Sequence, residues 1–551
     1  MAQCLLKVKV SNQCAEKSKS WVTFYPATTH ILNEHIANES EIETMKVKLN
    51  ILIVLFLVNT HIRGQSETNS IFDKTFTSEE VSKDVEVLRT GLEKLHPSLF
   101  QYISKDEFNK SINEIKSESN DVTSYGELYR KISSVISQIK CQHTLAVPES
   151  GSLNEVTSKG KFFPLWLRWE FEPVNAYVGS DLSFDAKLPP GTKIISINHQ
   201  SIEDIYQTLI SHFSSDGNIL TNKHSRLEVG IDFQFWYHLL IDRPETFIVE
   251  LESTDGKIFK KNLKAVTFKE WNKNHKKYRK SKNSQIKKYM AYHIKVEEQN
   301  RKKPVRYEIL SDNIGMLKVG DFGSRDFEEI ISNAFEEFDK EKIENLIIDV
   351  RDNGGGSDIL GRYLFNHFIN RPTVYFDSLY TSSGISDTTF IFKHTDKNLD
   401  WYKYNQKLVY KLPNGRFATK SEVNKGLLIQ QPNGIKFKGN TYILMNGRSA
   451  STTAEFTSAM HINGLATFIG EESGGDYHGG NGGDFANLKL PNSKIEINIP
   501  LVNYIMNSTD SKYIGRGTIP DYEIRPTMQD HLDLKDAQLE FVMTLIKKGK
   551  K

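Results

Sequence analysis

Two turns in the chain carry the residue types that acyl chemistry needs. The first lies within 446–475, where Arg448-Ser449-Ala450-Ser451-Thr452 precedes a helix-length segment, a short apolar run at 466–469, and Gly470-Glu471. A serine at a strand-to-helix turn holds its hydroxyl clear of the sheet, beside the free backbone N–H groups of the helix start. The second turn, Asp349-Val350-Arg351-Asp352-Asn353-Gly354-Gly355-Gly356, follows another buried-type strand about a hundred residues earlier. Together they suggest a nucleophile and an anion-stabilising backbone loop. A Ser/Thr-rich turn also serves merely to cap a helix, and a glycine turn merely to join a strand to a helix, so the rest of the chain has to decide.

The elements that must position these turns follow from periodicity. From residue 306 the chain alternates strand and helix, which argues an α/β core. Strands are expected at 314–318, 346–350, 441–445 and 466–469, helices at 327–338, 359–368 and 453–461, and a closing helix at 536–547. Residues 476–500 carry turn glycines and then strand-like alternation at 494–499. Upstream, 78–140 reads as helices. Ser78 is the expected N-cap of the first, with Glu79 and Glu80 in its first turn and Val81, Val85, Leu88 and Leu92 at helical spacing. Residues 160–268 read as a small β-rich unit, and 269–305 as a strongly basic stretch (Lys276, Lys277, Arg279, Lys280, Lys282, Lys287, Lys288), either a linker or a solvated helix face.

Composition bounds the function. The 551 residues are 38% hydrophobic, enough for about three domains with sizeable cores. A formal net charge of +2 points away from nucleic acid as a partner. The three cysteines, Cys4, Cys14 and Cys141, have no zinc-ligand spacing, and no metal or cofactor is expected. The turn at 349–356 lacks the G-x-G-x-x-G of a dinucleotide fold. Met45-Lys46-Val47-Lys48, the apolar run 49–58 and a polar exit to Gly64 fit a secretory signal peptide, with an N-terminal anchor helix as the alternative. Met45 is then the expected start, 1–44 an extension outside any domain, and the protein exported to a periplasmic or extracellular space. Membrane contact is expected only through an uncleaved signal segment.

Taken in order, the motifs resemble the tail-specific, or C-terminal processing, serine peptidases, the family that also includes tricorn core proteases. The resemblance covers most of 78–547. Leu188-Pro189-Pro190-Gly191-Thr192-Lys193-Ile194-Ile195-Ser196-Ile197-Asn198 is similar to the PDZ-type "PG-x-x-I-x-x-I-N" segment. Residues 349–356 are similar to the "D-x-R-x-N-G-G-G" turn, and Gly517-Thr518-Ile519-Pro520-Asp521 to the closing "G-x-x-P-D". It implies a ClpP/crotonase-like α/β catalytic core at 306–547, an N-terminal helical segment at 75–150, a PDZ-like domain at 160–268, and a peptide or protein substrate.

The resemblance also implies residue roles. Ser451 stands at the family's usual interval before Gly470-Glu471; counting back from Glu455 gives Thr452 instead, and Ser449 is the rival serine. The Ser–Lys type carries a lysine where Asp476 stands, so the tricorn-like Ser–His branch fits better, with His143 as general base. Gly354 or Gly355 and Thr452 would supply the oxyanion-hole N–H groups. The acidic third member of that branch falls where Ile514 stands; Asp510, Glu471 and Glu472 are the candidates for orienting the base. His478 is a second histidine near the same loops, for substrate or for capping a turn. A non-catalytic peptide- or apolar-ligand-binding protein on the same fold is the competing expectation.

Overall fold

The computed structural model describes residues 71–549, apart from 121, 150–155, 231, 312 and 383–387. The expected extension at 1–44 and signal segment at 45–64, with Cys4 and Cys14, lie outside the described residues. Among the described residues no helix is long and apolar enough to cross a membrane.

Three helices lead: α1 (Ser78–Leu95), α2 (Lys105–Ser117) and α3 (Tyr125–Gln138). The N-cap of α1 is Thr77, not Ser78. Glu80 stands three residues beyond Thr77, so the two side chains close a reciprocal capping box there. Val81, Val85, Leu88 and Leu92 are buried, as their spacing requires. After α3 the chain turns through Cys141, Gln142 and His143 into a short strand, β1 (Leu145–Val147).

An antiparallel sheet follows, built from β2 (Leu165–Phe171), β3 (Val174–Asp181), β4 (Lys193–Ile197), β5 (Thr246–Glu252) and β6 (Ile258–Lys264), in the order β6-β5-β4-β3-β2. Helices α4 (Ile202–Ser211), α5 (Leu220–Glu228) and α6 (Asp232–Leu240) are inserted between β4 and β5. The basic stretch is not an extended linker. It forms α7 (Phe268–Arg279) and α8 (Ser284–Lys302), which bury Tyr278, Ile286, Tyr289 and Met290 while every one of the seven named cations is exposed. Apolar residues at helical spacing hold one face down and the lysines solvate the other.

The parallel sheet carries the two turns. Its strands are β7 (Val305–Ser311), β8 (Ile314–Val319), β9 (Asn345–Asp349), β11 (Asn440–Met445), β12 (Thr467–Gly470) and β15 (Tyr522–Glu523), adjacent in that order. Only the edge strand β7 runs antiparallel. Helices α9 (Phe327–Lys340), α10 (Asp358–Phe365) and α11 (Thr452–Ile462) cover one face, and α12 (Ala537–Gly549) packs on the other. Each residue of β9 is buried, the pattern of a strand covered on both faces. Its register sets Asp349 opposite Leu444. The turns after β9 and β11 therefore leave neighbouring strands at the same carboxyl edge, the edge where α/β sheets place ligands.

A third sheet supplies the opposite wall. β10 (Phe376–Thr381) and β13 (Asn481–Lys489) flank β14 (Glu496–Met506), and β1 adds to β14 with Leu145 opposite Asn498. That pairing brings the His143 turn across the chain to the loops before β13.

Candidate active site

The serine turn and the glycine turn are stitched together by a set of hydrogen bonds. Asn446 Nδ2 donates to Asp352 Oδ1 (3.0 Å) and Asp352 N–H donates to Asn446 Oδ1 (3.1 Å). Ala450 N–H donates to the Asn353 carbonyl (3.2 Å). Thr452 Oγ1 donates to the Gly356 carbonyl (2.8 Å). Asn353, fully buried, is the centre of this stitching: its Nδ2 donates to the Val319 carbonyl (3.0 Å) and its Oδ1 accepts from Gly355 N–H (2.9 Å). Behind the glycine turn lies a buried ion cluster. Asp349 meets Lys318 Nζ at 3.1 Å and is bridged by Arg351 Nε and Nη2 at 2.9 and 2.8 Å, while Arg351 also binds Asp536. These cations hold the Asp349 carboxyl well below the usual carboxylate range, overcoming its burial.

The two candidate serines differ in kind. Ser449 is buried and spent on structure: its Oγ donates to the Val350 carbonyl (2.9 Å) and accepts from Asn446 N–H (3.1 Å). Ser451 is the N-cap of α11, yet its hydroxyl makes no cap bond, and its backbone sits at φ 55°, ψ −131°. A non-glycine residue there is strained by about 1–3 kcal/mol and persists only where its surroundings impose it. A tight strand-to-helix turn that lifts a free hydroxyl off the sheet is such a setting. Thr452 N–H is one of the helix-start donors with no carbonyl a turn behind it.

Gly355 and Gly356 have φ of 105° and 140°, and a Cβ on Gly355 would lie 2.7 Å from Ser451 Cβ and 2.9 Å from Thr452 N. The glycine turn thus passes directly over the serine turn, which no side chain would permit. As the chain stands, the Gly355 N–H is occupied by Asn353.

His143 lies in the turn before β1, its carbonyl held by Asn498 Nδ2 (3.2 Å) and its ring 5.7 Å from that of Phe485. Its Nδ1 is buried and unpartnered, and desolvation pushes the imidazole down to about 4, so it is neutral at pH 7. One glycine separates this turn from the serine. A Cβ on Gly475 would sit 3.1 Å from Gln142 Nε2 and 3.4 Å from Ser451 N.

The other candidates are placed as follows. Glu472 is bound by Arg516 Nε and Nη2 (2.7 and 2.9 Å) and accepts from Gly517 N–H (2.8 Å). Asp510 caps the turn Ser511–Tyr513. Glu471 lies 3.8 Å from Arg525, with burial raising its carboxyl to about 7. None of the three is hydrogen-bonded to His143. Glu472 and Asp510 were within reach in sequence but are consumed by an ion pair and a cap. His478 donates its N–H to Asp476 Oδ1 (2.8 Å), in the loop that also carries Gly475. Asn353 and Asn446 went unsingled in the sequence reading. The signal for Asn353 was its place inside the glycine motif; an asparagine before glycines is able to turn its amide back on its own backbone.

Residues 313–524 match the model of peptidase family S41. Among solved structures, mature CPAF is 13% identical with a TM-score of 0.55, over 85% of this chain and 96% of that one. Mature CPAF complexed with lactacystin is also 13% identical with a TM-score of 0.55, over 85% and 97%. These likenesses are of fold. No curated protein matches the chain.

Proposed function

We propose that the chain is a serine-type peptidase of family S41, whose model residues 313–524 match, with Ser451 as its nucleophile and His143 as its general base. The observation that carries this reading is the strained, uncapped Ser451 under a glycine turn, next to a rival serine whose hydroxyl is already spent. Ser451 Oγ attacks the scissile carbonyl carbon as His143 takes its proton. The carbonyl oxygen becomes an oxyanion, which accepts from Thr452 N–H and from the glycine turn. For Gly355 this means exchanging its bond to Asn353 for one to the oxyanion; Gly354 is the alternative donor. One such donor is worth ~3–4 kcal/mol in the transition state. His143 then protonates the leaving amine, and water hydrolyses the acyl-enzyme by the same steps in reverse roles.

On this reading the catalytic core is of the ClpP/crotonase-like kind. The sheet β2–β6 is a PDZ-like module that takes a peptide end by strand addition, and the chain is exported through the segment 45–64. Among the described residues no carboxylate is hydrogen-bonded to His143 Nδ1, which favours the competing reading, a binding protein on the same fold. Incubating the purified chain with fluorescein-labelled casein decides between them. Release of peptides that ceases in Ser451→Ala and in His143→Ala supports the peptidase; intact casein at every pH from 5 to 9 supports the binding protein.

A further inference from the structure

The loop between α4 and α5 runs alongside the segment that carries His143 and grips it at every second residue. Gly217 N–H donates to the Lys140 carbonyl (3.0 Å) and Ser214 Oγ donates to the Thr144 carbonyl (2.7 Å). Between them Asp216 takes Gln142 with both oxygens: Oδ1 accepts from Gln142 N–H and Oδ2 from Gln142 Nε2, each at 2.8 Å. His143 is thus fixed between two held residues. The same carboxyl reaches the serine side of the site, because Asp216 Oδ2 also accepts from Asp476 N–H (3.4 Å), next to Gly475. Asp476 in turn accepts from Tyr102 Oη in a short hydrogen bond and from His478 N–H (2.8 Å).

Both carboxyls are nearly inaccessible, at 3% and 4% exposure. The titratable and charged groups facing them are few. Tyr102 and Cys141 approach from the leading helical region, Arg226 from α5, where its Nη2 donates to the Gln142 carbonyl (3.3 Å), and His478 from the loop before β13, 4.0 Å from Asp476. Asp216 accepts from three N–H donors and lies near Arg226, which suits its charged form. Burial is the main cause that pushes Asp216 up to about 6 and Asp476 up to about 7, with the neighbouring Asp216 charge adding to the latter.

We propose that Asp216 is a positioning residue for the general base: its carboxyl clamps the Gln142–His143 turn and, through the Asp476 N–H, ties that turn to the loop beside Ser451. This rests on the assignment of His143 as base.

The test measures kcat and KM on labelled casein for wild type, Asp216→Ala, Gln142→Ala and His143→Ala. The expected result is a kcat for Asp216→Ala at least about 10-fold below wild type, with KM within about twofold. Gln142→Ala, which removes the Nε2 half of the clamp, should lower kcat by a smaller factor with KM again within about twofold. Wild-type kcat in Gln142→Ala overturns the proposal, and does so even if Asp216→Ala fails to fold. Full kcat in folded Asp216→Ala with inactive His143→Ala overturns the clamp alone. Full kcat in His143→Ala overturns the base assignment and the clamp with it.

Discussion

Gly355 lies so close over Ser451 that a methyl group at position 355 would stand 2.7 Å from the serine Cβ. Gly355→Ala must therefore displace the nucleophile turn, and it also places alanine at φ 105°. Activity on labelled casein should fall at least about 100-fold, the loss of roughly one oxyanion donor. Circular dichroism should still report a folded chain. Wild-type activity would mean that the glycine turn has no part in the chemistry.

Ser449 and Ser451 should separate cleanly on mutation. Ser449→Ala leaves Asn446 N–H without its acceptor in a buried site, at a cost of about 1–3 kcal/mol. It should lower the unfolding midpoint and retain activity at a permissive temperature. Ser451→Ala should remove activity and, by taking nothing from a hydrogen bond, leave the midpoint near wild type.

Asp349 is the sole carboxylate shared by Lys318 and Arg351 in the buried cluster beneath the glycine turn. Asp349→Asn leaves buried Lys318 without its carboxylate, while Arg351 keeps Asp536, and should cost about 3–5 kcal/mol in urea unfolding. Its folded-state pKa is depressed, so the stability it contributes is present above the ordinary carboxylate value and is lost as pH falls below it. The variant should show a flatter acid limb of stability than wild type.

The His143 imidazole is lowered from 6.5 to about 4 by desolvation. The folded state then holds fewer protons than the unfolded chain across that window, so stability from this group drops as pH falls from 6.5 toward 4. For catalysis the sign is favourable: the base stays unprotonated through the acidic range. The acid limb of kcat/KM should lie near pH 4–5. A limb at 6.5 would point to a solvated histidine as base.

Much of the parallel sheet was legible in the residues. β8, β9, β11 and β12 each begin and end within about one residue of their apolar runs, because a strand covered on both faces has no polar position to blur it. β14 was only half legible. Its apolar alternation at 494–499 was clear, but it continues to Met506 through Asn503 and Tyr504, which pair across the third sheet rather than follow a simple pattern. The interval to Gly470-Glu471 selects Ser451 over Ser449, but that the Ser449 hydroxyl is spent on Val350 depends on where each hydroxyl points, which spacing does not encode. Asp216 had no local signal at all, since its partners Gln142 and Asp476 are far from it in sequence and only tertiary folding unites them.

The central claim is that Ser451 is an activated nucleophile. Reacting the purified chain with a fluorophosphonate probe and locating the modified residue by peptide mapping tests it most directly. The account predicts modification at Ser451 that is absent in Ser451→Ala and much reduced in His143→Ala. Modification at Ser449, or none on a folded chain, would contradict it.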